Sequence, residues 1–170
     1  MNRRRLKLEL LDPRPGPKTH PVPREAGGAP EARPLSHDDG PVLAALMFAA
    51  YEHTIDGAGE TPDDAVAEVK RTFEGTYGEV LWNCSFVQAR AGVGAGLMAA
   101  SVVTLLRGVP LLAFSMTHPD EQRQGFARAL ILESAGALRS AGHTELQLAV
   151  TVGNTAAERL YEALGFVDHG

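Results

Sequence analysis

The stretch Leu111 to Ala127, LLAFSMTHPDEQRQGFA, decides the fold of this 170-residue chain. Its first seven residues, Leu-Leu-Ala-Phe-Ser-Met-Thr, read as an apolar strand. His118-Pro119 turns the chain, a short polar run follows, and Gln124-Gly125-Phe126-Ala127 enters a helix. The first N–H groups of a helix have no partner inside it, and the helix dipole favours an anion there. Gly125 lets the backbone approach a ligand with no Cβ in the way. Strand, turn and helix together predict an anion cradle.

Downstream, Gly125 to Ser140 reads as a helix with Ala127, Leu130, Ile131, Ser134 and Leu138 toward a sheet, ended by Gly142. Glu145 to Val152 is a strand. Asn154 caps a last helix that carries Ala157, Leu160, Tyr161 and Leu164 on one face, with Gly165 after it. A right-handed crossover makes the strands at 111–117 and 145–152 parallel neighbours.

Upstream, Trp82–Ala89 and Ala95–Leu106 read as a hairpin. The turn between them, Gly92-Val93-Gly94-Ala95-Gly96, has G-x-G-x-G spacing and runs on toward Val102-Val103. It is therefore no dinucleotide fingerprint. Thr61-Pro62-Asp63-Asp64 starts a helix carrying Val66, Val69, Lys70 and Phe73 that stops near Gly75. Ser36 or Asp38 caps an earlier one with Val42, Leu43, Leu46, Met47 and Ala50 on its apolar face. Glu31–Leu35 is a short strand. Asp12–Pro34 is rich in Pro and Gly and gets no regular structure. Leu6, Leu8 and Leu10 alternate with Lys7 and Glu9, a half-buried strand expected at a sheet edge. The fold class is α/β with a mixed sheet. Residues 1–30 are expected to form an N-terminal strand and linker, and residues 31–170 the main domain.

The net charge of −5 argues against general nucleic-acid binding. Through Leu35 there are 8 Lys/Arg against 4 Asp/Glu, and beyond it 8 against 17, so the body of the chain is acidic and suits a cationic partner. Cys84 is the only cysteine, which excludes an intramolecular disulfide and suits a cytoplasmic location. The N-terminus is a poor signal peptide because Lys7, Glu9 and Asp12 interrupt it. The apolar run Leu97–Leu106 is too short to span a bilayer. The six histidines include no pair at metal-ligand spacing, so no metal site is expected.

Two motifs give the sequence its resemblance. Thr117 to Ala127, with Gln122, Gly125 and Ala127 at the key positions, resembles the acyl-CoA loop of the GNAT acyltransferase superfamily. Asn154, Ala157, Leu160, Tyr161, Gly165 and Phe166 match a later N-x-x-A-x-x-L-Y-x-x-x-G-F segment of the same superfamily. The two occur in order, about thirty residues apart. The resemblance covers roughly residues 31–167. It implies the GNAT fold and an acetyl-CoA cosubstrate. The CoA pyrophosphate would lie on the backbone of Gln122, Arg123, Gln124, Gly125, Phe126 and Ala127, and the thioester carbonyl on N–H groups near Met116 and Thr117. After Phe166 only four residues remain, fewer than the family's usual closing strands need. The N-terminal strand or a second copy in a homodimer is expected to complete the sheet.

The resemblance also puts the phenol of Tyr161 near the CoA sulfur, where it can protonate the leaving thiolate. Asn154 is first a helix cap, with a cofactor contact as a second role. Relatives often place a Glu on the strand equivalent to 111–117, and here that strand has no acid. The base is expected from the ionisable loop 51–60, where Glu52, His53, Asp56 and Glu60 would form an amine-binding wall. His118 is a further candidate. Cys84, in an apolar strand, reads as core. The leading expectation is an N-acetyltransferase in which a neutral primary amine attacks the thioester directly, without nucleic acid or membrane as partner. The alternative is a non-catalytic acyl-CoA-binding or sensor domain on the same fold. A hydrolase or transferase built on Cys84 is a third and weaker reading.

Overall fold

A computed structural model of the chain describes residues 2–10, 32–54, 57, 59–92 and 96–170. The expected linker, most of the glycine turn at 92–96 and Asp56 lie outside the described residues. The elements are β1 (Arg3–Glu9), β2 (Ala32–Pro34), α1 (Gly40–Tyr51), α2 (Pro62–Phe73), β3 (Glu79–Val80), β4 (Phe86–Ala89), β5 (Leu97–Leu106), β6 (Val109–Thr117), α3 (Phe126–Ser140), β7 (Glu145–Thr151), α4 (Thr155–Ala163) and β8 (Val167–Asp168). They build an open mixed sheet in the order β2-β4-β5-β6-β7-β1-β8, with β3 also on β5.

Helices cover both faces of the sheet, so the core lies in two layers. On one face, Leu43, Leu46 and Met47 of α1 and Ala65 and Val69 of α2 pack on Val87, Ala100, Val102 and Met116. On the other, Ile131 and Leu138 of α3 and Tyr161 of α4 pack on Leu6, Val103, Leu146, Leu148 and Val150. β5 is buried on both sides from Leu97 to Thr104, which is why its sequence is a continuous apolar run without alternation. Its one polar side chain toward α3, Ser101, shares a buried hydrogen bond of 2.9 Å with Ser134, and so neither hydroxyl is left unsatisfied.

The local signals act as read. Thr61 accepts the Asp64 N–H while the Asp64 carboxylate accepts the Thr61 N–H at 2.8 Å, a closed capping box at the start of α2. The cap expected from Ser36 or Asp38 is displaced: Ser36 caps a short 3-10 turn at His37–Asp39 that leads into α1, whose own N-cap, Asp39, makes no side-chain cap bond. There Asp39, almost fully buried, is held by both guanidinium nitrogens of Arg33 at 2.8 and 2.7 Å and by the Ser36 N–H at 2.8 Å. The paired guanidinium holds its carboxyl below the usual range, against the effect of burial.

Three expectations need correction. The strand expected from Trp82 begins at Phe86, because Trp82–Cys84 forms a 3-10 turn with the Cys84 N–H on Leu81 O at 2.9 Å. Val66 of α2 points to solvent and is 55% exposed. The N-terminal strand does not end the sheet. β1 runs antiparallel to β7 from Arg3 opposite Thr151 to Glu9 opposite Glu145, and on its other side it carries β8. Leu6 and Leu10 are buried as a result, and Lys7 between them is part-buried and pairs with Glu9 and Glu145. The strand thus supplies the pairing that the segment after Phe166 needs. The His169 N–H closes the arrangement on Arg5 O at 2.9 Å.

Candidate active site

β6 and β7 bridge only where Leu111 stands opposite Gln147. Past that point a cavity of 420 Å³ opens between them, lined by Leu111–Ser115 on one side and Leu148–Thr151 on the other. The opening has a local cause in the strand pairing. The β5–β6 register slips by one residue between Val102 opposite Phe114 and Val103 opposite Leu112, which leaves Ala113 as an extra residue on β6. Such a bulge bends the strand that carries it.

Strand alternation then decides which β6 groups face the gap. The His118 N–H bonds Met98 O at 2.8 Å, so His118 and, two residues back, Met116 direct their N–H groups to β5. Ser115 and Thr117 direct theirs the other way, toward the opening. Of the two residues expected to hold a carbonyl, Thr117 has the suitable direction, and the Met116 side chain is buried under α1.

After β6 the chain makes a 3-10 turn at Pro119–Glu121 and enters the loop 122–127. Arg123 (φ +62°) and Gly125 (φ +83°) are both left-handed. Among the described residues no hydrogen bond engages the N–H groups of Arg123, Gly125, Phe126 or Ala127. A Cβ placed on Gly125 would meet no atom within 4 Å, so the loop faces open space. A run of free N–H groups at the start of a fifteen-residue helix is an anion cradle, and it fits a pyrophosphate. The loop is braced from behind. Gln124 Nε2 donates to Glu121 at 3.0 Å, and Glu121 pairs with Arg90 beyond β4 at 3.1 Å.

α4 closes the same side. Asn154 accepts the Ala157 N–H at 3.3 Å through its side chain and so caps the helix. Asn154, Ala157 and Tyr161 all line the cavity. Tyr161 is 9% exposed and its ring packs edge-on against Phe166 at 5.6 Å. Tyr161 therefore packs in the core and lines the cavity at once.

The opposite wall is formed by Arg3, Met47, Tyr51, Glu60, Glu68, Tyr77 and Phe114. Within the ionisable loop the candidates separate. Glu60 lines the cavity. Glu52 and His53 do not: His53 is 84% exposed at its side chain and lies 3.8 Å from Glu52. Asp56 is outside the described residues. His118 lines a different hollow with Val42, Leu46 and Arg90, and its Nδ1 accepts the Asp120 N–H at 3.2 Å.

Glu68 and Tyr77 had no signal in the sequence. Glu68 sits in the middle of α2 and accepts the Tyr77 hydroxyl at 2.6 Å while also pairing with Arg71. The hydrogen bond to Glu68, then burial, holds the Tyr77 phenol above its usual range. Tyr77 also packs edge-on to Phe114 at 6.2 Å. Cys84 is buried, and burial pushes its thiol up, which removes it as a nucleophile.

Comparison with known proteins agrees with this geometry. Residues 81–166, which include both motifs, match the model of the acetyltransferase (GNAT) family. The chain is 36% identical over 98 residues to the [ribosomal protein bS18]-alanine N-acetyltransferase of Escherichia coli K12. The aligned part is 57% of this chain and 62% of that enzyme, less than two thirds of its length. The crystal structure of an Escherichia coli ribosomal-protein-S18-alanine N-acetyltransferase superposes with a TM-score of 0.62 at 26% identity, over 82% of this chain and 79% of that one. A GCN5-related N-acetyltransferase from Sphaerobacter thermophilus shares the fold with a TM-score of 0.70 at 16% identity, over 98% of this chain and 48% of that one.

Proposed function

This chain belongs to the GNAT acetyltransferase family, and on that premise we propose that it moves an acetyl group from acetyl-CoA to a primary amine. The observation that carries the proposal is the single cavity between β6 and β7. It joins Asn154 and Tyr161 on one wall to Glu60 on the other. The N–H groups of Arg123, Gly125, Phe126 and Ala127 bind the pyrophosphate, with Gln122 and Gln124 shaping the loop. The splay between Ser115–Thr117 and Val150–Thr151 admits the narrow pantetheine arm.

Glu60 takes the proton from the ammonium, directly or through a water, and frees the nitrogen lone pair. The Thr117 N–H is aimed at the carbonyl oxygen, where negative charge develops on attack. Tyr161 gives its hydroxyl proton to the departing sulfur as the new C–N bond replaces the C–S bond, and the second proton that the nitrogen sheds on becoming an amide restores the phenol through water. Both reactants are held together, so no acyl-enzyme is needed. The lone thiol Cys84 suits a reducing cytoplasm, where acyl-CoA is at hand.

The test is thiol release from acetyl-CoA across a panel of primary amines. Amine-dependent release is expected. Tight CoA binding with no release from any amine would instead support a sensor. Glu60→Gln is expected to lower kcat/KM for the accepted amine by about 10²-fold with CoA affinity unchanged.

A further inference from the structure

β1 is four-sevenths basic, yet its cations are not in the same state. Arg4 is paired with Glu158 at 3.5 Å and with Asp168 at 3.1 Å. Lys7 is paired with Glu9 and with Glu145 at 3.7 Å. Arg3 has no ion-pair partner among the described residues. It stands opposite Thr151, the last residue of β7, and its side chain lines the cavity. Tyr77 lines the same cavity.

The same wall has two carboxylates of different standing. Glu68 is already occupied by Arg71 and the Tyr77 hydroxyl. Glu60 lines the cavity with no ion pair among the described residues. The acceptor side thus presents one uncommitted anion and one uncommitted cation. A guanidinium in a partly enclosed pocket is the side chain best shaped to take a carboxylate, through two parallel N–H···O bonds. Arg3 is itself exposed at the mouth of the cavity, so with a simple amine it stays hydrated, and only an acceptor that also carries an anion engages it.

We propose that the acceptor is an amine that also carries a carboxylate, its ammonium directed to Glu60 and its carboxylate held by Arg3. The inference rests on the acetyltransferase reading above and narrows its substrate class. A carboxylate-bearing amine arises from two sources, a free amino acid or the N-terminal end of an acidic peptide. The chemistry at Arg3 is the same for both.

The experiment measures acetyl-CoA thiol release by the full chain with α- and ω-amino acids, with their amides, and with tripeptides whose second residue is acidic or neutral. The wild-type chain is expected to favour each acid over its amide by about 10- to 100-fold in KM, with similar kcat. Arg3→Gln should remove that preference, Arg3→Lys should keep part of it, and Arg5→Gln, an exposed neighbour outside the cavity, should leave it intact. Preference for free amino acids or for acidic tripeptides identifies the source. Equal use of acids and amides by the wild-type chain would overturn the proposal whether or not the variants fold. So would an Arg3→Gln chain, folded by its melting curve, that keeps the preference. Thiol release from no amine at all would overturn the acetyltransferase reading itself, a separate result from release without preference.

Discussion

The two walls of the cavity are built differently. The wall proposed for the cofactor comes from two short runs of chain, Leu111–Ala127 and Asn154–Tyr161. The wall proposed for the acceptor takes Arg3 from β1, Tyr51 from α1, Glu60 from a loop, Glu68 from α2 and Tyr77 from the turn before β3. The difference follows from what each must recognise. A pyrophosphate is held by consecutive backbone N–H groups, which only a contiguous segment with the right turns can present. An acceptor is recognised by side chains, and these can converge from anywhere in the fold. One wall is therefore written locally, and the other is an outcome of assembly.

Tyr161 stands where the walls meet, and the largest effect is expected there. Tyr161→Phe should lower kcat by about 10²-fold or more while CoA affinity changes little. Equal loss in both, measured by steady-state kinetics and calorimetry, would make it only a packing residue of the cofactor wall. Leu6→Ala separates the walls by stability. Leu6 is 2% exposed, and its truncation should cost about 2–5 kcal/mol in denaturant unfolding. Since it loosens β1 and with it Arg3, acceptor KM should suffer more than CoA affinity in the folded fraction. Equal damage to both would break the comparison.

Asp39→Asn tests the support beneath α1, which carries Met47 and Tyr51 to the acceptor wall. It should cost about 1–3 kcal/mol at neutral pH, because it leaves Arg33 without its charged partner. The sign with pH follows from a depressed carboxyl. The contribution is present above the unfolded-state value near 4 and is lost as pH falls through the lower folded value. The variant should match the wild-type chain's stability at low pH, fall behind it as pH rises from the lower folded value toward 4, and trail by a constant gap above that. A constant gap from acid to neutral pH would exclude this ion pair as the cause. The smallest effect is expected on the locally written wall. Asn154→Ala should cost about 1 kcal/mol through the lost cap alone, read as a small fall in melting temperature. A fall in CoA affinity as well would give Asn154 the second role expected of it.

Much of the fold was legible because its signals are short-range. Thr61 capping α2, Asn154 capping α4, the turn at His118-Pro119 and the apolar run of β5 each act within a few residues of themselves. The same holds for Leu111–Ala127. What could not be read was pairing over long separations. The alternation of Leu6, Leu8 and Leu10 announces a strand, and a strand with one apolar face suits an edge or an interior position equally well. Only the presence of β8 on its far side makes β1 internal. Glu52 and Glu60 are both acids in one loop, and nothing in the sequence separates them. The fold does: both are exposed, and of the two only Glu60 lines the cavity.

The sequence by itself determined where an anion cradle is built, after the strand at 111–117, since the loop, the left-handed glycine and the helix start are properties of that segment alone. It also determined that this strand carries no carboxylate for deprotonation. Tertiary structure decided the rest. The bulge at Ala113 parts β6 from β7, and the insertion of β1 beside β7 brings Arg3 into the lining of the same cavity as Glu60. The physical reason is one of range. Hydrogen bonding and backbone sterics act between neighbours in the chain, whereas burial of Leu6 and Leu10 against α3 and α4 joins its first residues to its last.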